Sequence, residues 1–240
     1  MKGFPYIEFF HKETQKKIEI PTDEKKWPVE WKTVEYKEYP RFHRYELPSP
    51  EEKRGSDFFN VLGDRTSRRS FSPPEKITLQ DFSNLLYWSS GKKEKDGTRF
   101  YPSGGMRFPL EVYFAFKGNA ELPRGVYHYN VKLQALEYIF DGEIEASLRA
   151  LPNYSFAKNA PIYFIISGIF DRQMRKYKER GYRFVLIETG ALLQNVYLVG
   201  EAFGFSICAV GVSQDEEVES ILDFHEDEKV IITCAAGKKV

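Results

Sequence analysis

The stretch Arg65-Thr66-Ser67-Arg68-Arg69-Ser70-Phe71 decides how the rest of the chain is read. It puts three arginines and three hydroxyls into seven residues. Arg65 and Arg69 can each offer a forked pair of N–H donors, and Ser67 or Thr66 can add an O–H. Such a set suits a phosphate dianion. A solvated basic patch or a site for an acidic partner is the plainer alternative, and the heptapeptide alone does not decide between them.

The bulk of the chain narrows the choice. Over 240 residues, 35 basic and 35 acidic side chains cancel, which argues against a nucleic-acid binder with a basic surface. A local anion site is untouched by that balance. The 20 Phe and 15 Tyr can fill a large core and line a pocket for a flat ligand. Cys208 and Cys234 lack metal-type spacing, so no disulfide framework is expected, and a cytoplasmic setting is. The four histidines (His11, His43, His128, His225) are scattered, and no metal site is expected. Nothing in the first residues reads as a signal peptide, and no span reads as transmembrane. There is no Gly-x-Gly-x-x-Gly, so a dedicated dinucleotide fold is not expected.

Working outward, residues 1–55 read as an arm that wraps over a domain of residues 56–240. Prolines and charges punctuate the arm, and Trp27, Trp31, Tyr36 and Tyr39 follow no period. A short helix over 57–64 leads into the arginine motif. Thr78 caps a helix with Leu79, Phe82, Leu85 and Leu86 on one face, ended by Gly91. The loop Pro102-Ser103-Gly104-Gly105 lets backbone approach a ligand closely. Strands are predicted at 110–117, 126–130, 135–140, 162–170, 205–212 and 229–236, with 162–170 buried on both faces. Helices are predicted at 143–158, 171–183, 184–204 and 215–224, the last with a Ser213/Glu216 capping box. Helix 184–204 is the most apolar, and Glu188 and Glu201 are its only charges. The mixture without steady βαβ alternation points to an α+β fold.

Several segments then agree. Arg65-Thr66-Ser67-Arg68-Arg69 resembles the opening motif of the FMN-dependent nitroreductase superfamily. Pro102-Ser103-Gly104-Gly105-Met106-Arg107-Phe108-Pro109-Leu110-Glu111-Val112-Tyr113 is similar to the corresponding block of its SagB-type dehydrogenase branch. Glu188-Thr189-Gly190 through Gln194-Asn195, then Ala202-Phe203-Gly204-Phe205, resembles that branch's central helix. Phe10-His11-Lys12-Glu13-Thr14 resembles its usual start.

The resemblance implies a mixed, mainly antiparallel sheet flanked by helices, an intertwined homodimer, and FMN at the dimer seam. It implies that Arg65, Ser67 and Arg69 hold the phosphate and ribityl end, with Thr66 near the ring edge. Pro102, Ser103, Gly104 and Gly105 would approach from the partner subunit. Ala209, Val210 and Gly211 would run along the ring, with a backbone N–H toward N5. Lys238 and Lys239 would reach the phosphate or pyrimidine edge, and Gln194 is a further contact.

It also implies that Lys176-Tyr177 matches a pair supporting substrate deprotonation in azoline-oxidising members. On spacing alone, a solvated charged helix is the rival reading of that pair. Met106 and Arg107 depart from the branch by adding bulk and charge near the loop. The activity implied passes hydride through flavin between a small organic or peptide-heterocycle substrate and an acceptor. Two alternatives stay open: a broad NAD(P)H-dependent nitro or quinone reductase, and a non-catalytic FMN-binding or interaction protein.

Overall fold

The structure is a computed structural model, and it describes residues 5–52, 57–141, 155–211 and 215–240. Seven strands form one sheet: β1 (Arg44–Glu46), β2 (Leu110–Phe116), β3 (Gly125–Asn130), β4 (Ala135–Phe140), β5 (Ile162–Ile169), β6 (Phe205–Val210) and β7 (Glu228–Lys238). Their order is β1-β4-β3-β2-β5-β7-β6. Among the described residues every pairing is antiparallel, in keeping with the expected mainly antiparallel sheet of an α+β fold.

Alternation along β2 and β5 builds two cores. Val112, Phe114, Phe116, Ile162, Phe164 and Ile166 point to one face, Tyr113, Ala115, Tyr163 and Ile165 to the other. Both sets are buried, as expected for central strands covered on each side. Helices α3 (Leu79–Ser90) and α5 (Phe170–Ala202) cover the first face through Phe82, Leu85, Val185 and Leu192. Phe82 stacks on Phe114 at 4.9 Å between ring centres. Helices α4 (Ser155–Asn159) and α6 (Asp215–Ile221) supply Ala157 and Val218 to the second.

Thr78 caps α3 in a reciprocal capping box with Asp81. Most of the helix expected at 143–158, and the Ser213 half of the other capping box, lie outside the described residues.

Two expectations change. The sequence splits residues 171–204 between Arg183 and Phe184. The chain instead breaks at Lys178, with φ 47° and ψ −141°. There α5 doubles back: Phe170 stacks on Tyr182 at 4.6 Å, and a Cβ on Gly181 would lie 2.9 Å from the Gln173 backbone. Glycine is what lets the two halves approach so closely. The second change is in the first 55 residues, which contain a helix, α1 (Pro5–Glu13), and the edge strand β1. Helix α1 is anchored to the body by Arg183 of α5, which donates to the Thr14 hydroxyl at 2.6 Å and the His11 carbonyl at 2.8 Å. Helix α2 (Phe58–Asp64) ends at the arginine motif, with Asp57 accepting from the Phe59 N–H. No helix of the described residues is long and apolar enough to cross a membrane.

Candidate active site

The arginine motif lies along the sheet edge formed by β6 and the end of β7. The Arg68 N–H donates to the Ile207 carbonyl at 3.1 Å, and the Ser72 N–H to the Lys238 carbonyl at 2.9 Å. Tyr197, on α5, gathers the motif. Its ring lies under the Arg65 guanidinium at 5.4 Å, and its hydroxyl is 3.3 Å from the Ser67 hydroxyl. The same hydroxyl accepts the Ala209 N–H at 2.7 Å. Arg69 lies 5.4 Å over the Phe156 ring.

Charge separates the three arginines. Arg68 pairs with Glu201, which also takes the Lys239 ammonium at 2.5 Å. Burial pushes the Glu201 carboxyl up, but hydrogen bonds from Lys239 and Arg68 outweigh it and leave it below the usual range. Arg65 and Arg69 have no carboxylate partner among the described residues. Two unneutralised guanidiniums beside two exposed hydroxyls, Thr66 and Ser67, make a donor set that fits a phosphate.

The other expected contacts fall unevenly. Lys238 donates to Asp81 at 2.7 Å and to the Phe203 carbonyl at 2.9 Å, so its charge is spent on α3 and α5. The Val210 side chain is buried in the second core, leaving only its backbone for a ligand. Gly211 is exposed, and a Cβ there would meet nothing within 4 Å. Gln194 is exposed, whereas Asn195 ties α5 to the Ser89 and Phe100 carbonyls.

A second group forms around the glycine loop. Gly104 donates its N–H to Glu188 at 2.9 Å, and Gln173 reaches the same carboxyl oxygen at 2.5 Å. The Ser103 hydroxyl accepts the Phe108 N–H at 2.8 Å. A cavity of about 270 Å³ opens here between Pro102, Ser103, Gly104, Phe184 and Glu188. Burial pushes the Glu188 carboxyl up to about 7, partly offset by hydrogen bonds from Gly104, Ser103 and Gln173.

Lys176 and Tyr177 meet this loop from the other side. A Cβ on Gly105, whose φ is +62°, would lie 2.5 Å from the Tyr177 hydroxyl and 3.2 Å from Lys176 Nζ. Only glycine leaves room there. Lys176 is 3% exposed, so the solvated-helix reading fails for it. Its Nζ sits 3.5 Å above the centre of the Trp27 ring. Burial and the nearby Arg107 lower its pKa, against an opposing pull from Glu24. Burial raises that of Tyr177. Arg107 does not present charge to open solvent. It is buried, and it donates to the Thr33 carbonyl at 2.7 Å and the Arg172 carbonyl at 3.4 Å.

Among the described residues no hydrogen bond, ion pair or ring contact joins the arginine cradle to the glycine loop. Nothing in the sequence marks Tyr197, Gln173 or Trp27 as site residues. Glu188 leaves a signal, as one of only two charges in an apolar helix.

A family model described as the Nitroreductase family matches residues 62–238. The Methanocaldococcus jannaschii protein named "Putative nitroreductase MJ1384" is 35% identical over 198 residues, covering 81% of this chain and 96% of that protein. The Escherichia coli Microcin B17-processing protein McbC is 30% identical over 142 residues, 56% of this chain and 52% of McbC. A chain of the E. coli microcin synthetase McbBCD complex, solved with truncated pro-MccB17 bound, has the same fold. It aligns with a TM-score of 0.62 at 19% identity, over 99% of this chain and 93% of that one.

Proposed function

Because the chain belongs to the nitroreductase family, we propose that it is an FMN-dependent oxidoreductase of the SagB-type dehydrogenase branch. In this reading it works as a cytoplasmic homodimer, with residues 1–55 as an arm over the FMN-binding unit, and it oxidises a peptide heterocycle or a related small organic substrate. The likeness to McbC supports that branch. The observation that carries the reading is the packing of Lys176 and Tyr177 beneath Gly105, on a loop suited to close ligand approach.

Arg65 and Arg69 would hold the FMN phosphate, because no carboxylate among the described residues compensates their charge. Ser67 would add a hydroxyl, and Tyr197 fixes that hydroxyl's position. The Ala209 N–H is committed to Tyr197, so Gly211 is the better source of a backbone donor toward the ring. Bound FMN would supply the two-electron acceptor, and a separate oxidant such as dioxygen or an organic acceptor would have to reoxidise it; NAD(P)H would serve as electron donor only in the alternative reductase direction.

Lys176 acts as the base. Its lowered pKa leaves more free amine at neutral pH, ready to take a proton from a ring carbon. Tyr177, held protonated by burial, donates its O–H to orient the substrate or the amine. A subunit boundary would suit this region, since Ile187, which lines the cavity, and its neighbour Leu186 on α5 are exposed at 67% and 41%.

The purified protein should show flavin absorbance after incubation with FMN. Lys176→Ala should keep that absorbance and lose azoline oxidation. A variant that still oxidises the ring at the wild-type rate removes the lysine from the chemistry.

A further inference from the structure

Residues 16–32 form a strap across the Lys176 corner. It is pinned at both ends. Upstream, Arg183 clamps Thr14 and His11. Downstream, Arg107 holds the Thr33 carbonyl, Arg175 pairs with Glu35 at 2.8 Å, and Lys37 pairs with buried Glu228. Between those anchors its hydrogen bonds are internal, such as Trp27 Nε1 to the Pro21 carbonyl at 2.7 Å. Among the described residues no hydrogen bond or ion pair joins 16–32 to the domain. Its ring contacts with the domain are those of two indoles on one ammonium. Trp27 lies 3.5 Å and Trp31 5.8 Å from Lys176 Nζ, and the two rings meet edge-on at 6.3 Å.

These facts conflict with a fixed cover over a working base. Lys176 Nζ is closed in by Gly105 on one side and the Trp27 ring on the other. A substrate carbon cannot reach it while the indole stays. The strap is also poorly held, since residues 21–26 are exposed and Val29 is 75% exposed. Segments with few bonds to the body open at low free-energy cost.

We propose that Trp27 and Trp31 form a substrate-admission gate, in which the Trp27 ring occupies the flat slot over Lys176 that the substrate's planar ring must take. The strap swings on its two anchors, and the displaced indoles then wall the slot. A flat heterocycle fits the vacated space, and a bulky non-planar group does not. Cation–π attraction holds the closed state and is lost on opening.

The proposal rests on the catalytic reading of Lys176, but its test does not. The full-length protein is treated with N-acetoxysuccinimide, and acetylation of Lys176 is followed by peptide mass spectrometry. Acetylation should run about tenfold faster in Trp27→Ala than in wild type, matching loss of a cover worth roughly 1.4 kcal/mol. Wild type should still react to completion, because the gate opens. Trp27→Phe, which keeps a smaller ring and a filled site, should fall between. Equal rates in all three proteins would mean that nothing is covered. A wild-type lysine that stays unmodified while Trp27→Ala is fully acetylated would mean a fixed wall. Either result overturns the gate. An enzyme that gates as described yet oxidises substrate without Lys176 would instead sink the catalytic reading alone.

Discussion

Arg172 and Lys176 stand one helical turn apart on the first half of α5, and both are almost wholly buried, at 4% and 3% exposure. Their surroundings differ completely. Arg172 donates to Glu111 at 2.7 Å, and Glu111 continues through His128 to Glu137 at 3.2 and 2.9 Å. Asn130 and Arg44 complete Glu137. Burial alone would push the Glu111 carboxyl up, but Arg172 and His128 hold it down at about 2. Lys176 has no carboxylate in contact among the described residues, and repulsion from Arg107 outweighs the attraction of Glu24. The first region spends each charge on a partner and fixes the sheet. The second keeps charge and proton affinity in reserve. Arg65, Arg69 and Glu188 belong with the second region, and Lys238, Lys239 and Arg68 with the first.

The contrast breaks most visibly at its structural end. Arg172→Met should cost about 3–5 kcal/mol, because it strands a buried carboxylate. The drop in urea midpoint measures it, and a loss below ~1 kcal/mol would mean the network is not holding the fold. Arg65→Ala with Arg69→Ala should leave that midpoint nearly unchanged. It should weaken FMN binding roughly a thousandfold, from about 2 kcal/mol per charged contact. Flavin titration checks this, and retained affinity would move the phosphate elsewhere.

Glu188 offers a pH test. Its folded pKa of about 7 lies above the ordinary 4.5, so the unfolded chain gives up its proton first. Its contribution therefore falls as pH rises from about 4.5 to 7, by up to about 3 kcal/mol. Glu188→Gln should flatten that decline between pH 5 and 8, and a parallel pair of stability curves would contradict it. Smallest of all, Lys239→Ala should cost about 0.5–1 kcal/mol, since Arg68 still pairs with Glu201 at a partly open site. Flavin affinity should barely change. A large loss of flavin would return Lys239 to the binding set.

What could be read from the sequence follows from the range of the forces involved. Thr78, the 3-4 spacing behind it and Gly91 fix α3 locally, and the structure agrees within a residue. The apolar run 162–170 sets a central strand because only burial on both faces satisfies it. The three residues of β1 carry no pattern of their own, and its register comes from β4. The break in α5 leaves no local sign for a similar reason. Lys178 looks like any helix former, and the fold-back depends on Gly181 meeting residues eight positions earlier. The arginine motif and glycine loop stand out by residue type alone. Their supports, Tyr197, Gln173 and Trp27, do not, because each acts through a distant partner.

The backbone at Lys178 has one more implication. A residue with a side chain held at φ 47° and ψ −141° carries roughly 1–3 kcal/mol of torsional penalty. Lys176 and Glu188 hang on opposite limbs of that elbow. Any change that let the elbow relax would therefore shift Lys176 and Glu188 relative to each other, while every residue lining the cavity kept its identity. Variation at this one hinge offers a route to altered reactivity that comparing the lining residues alone would never reveal.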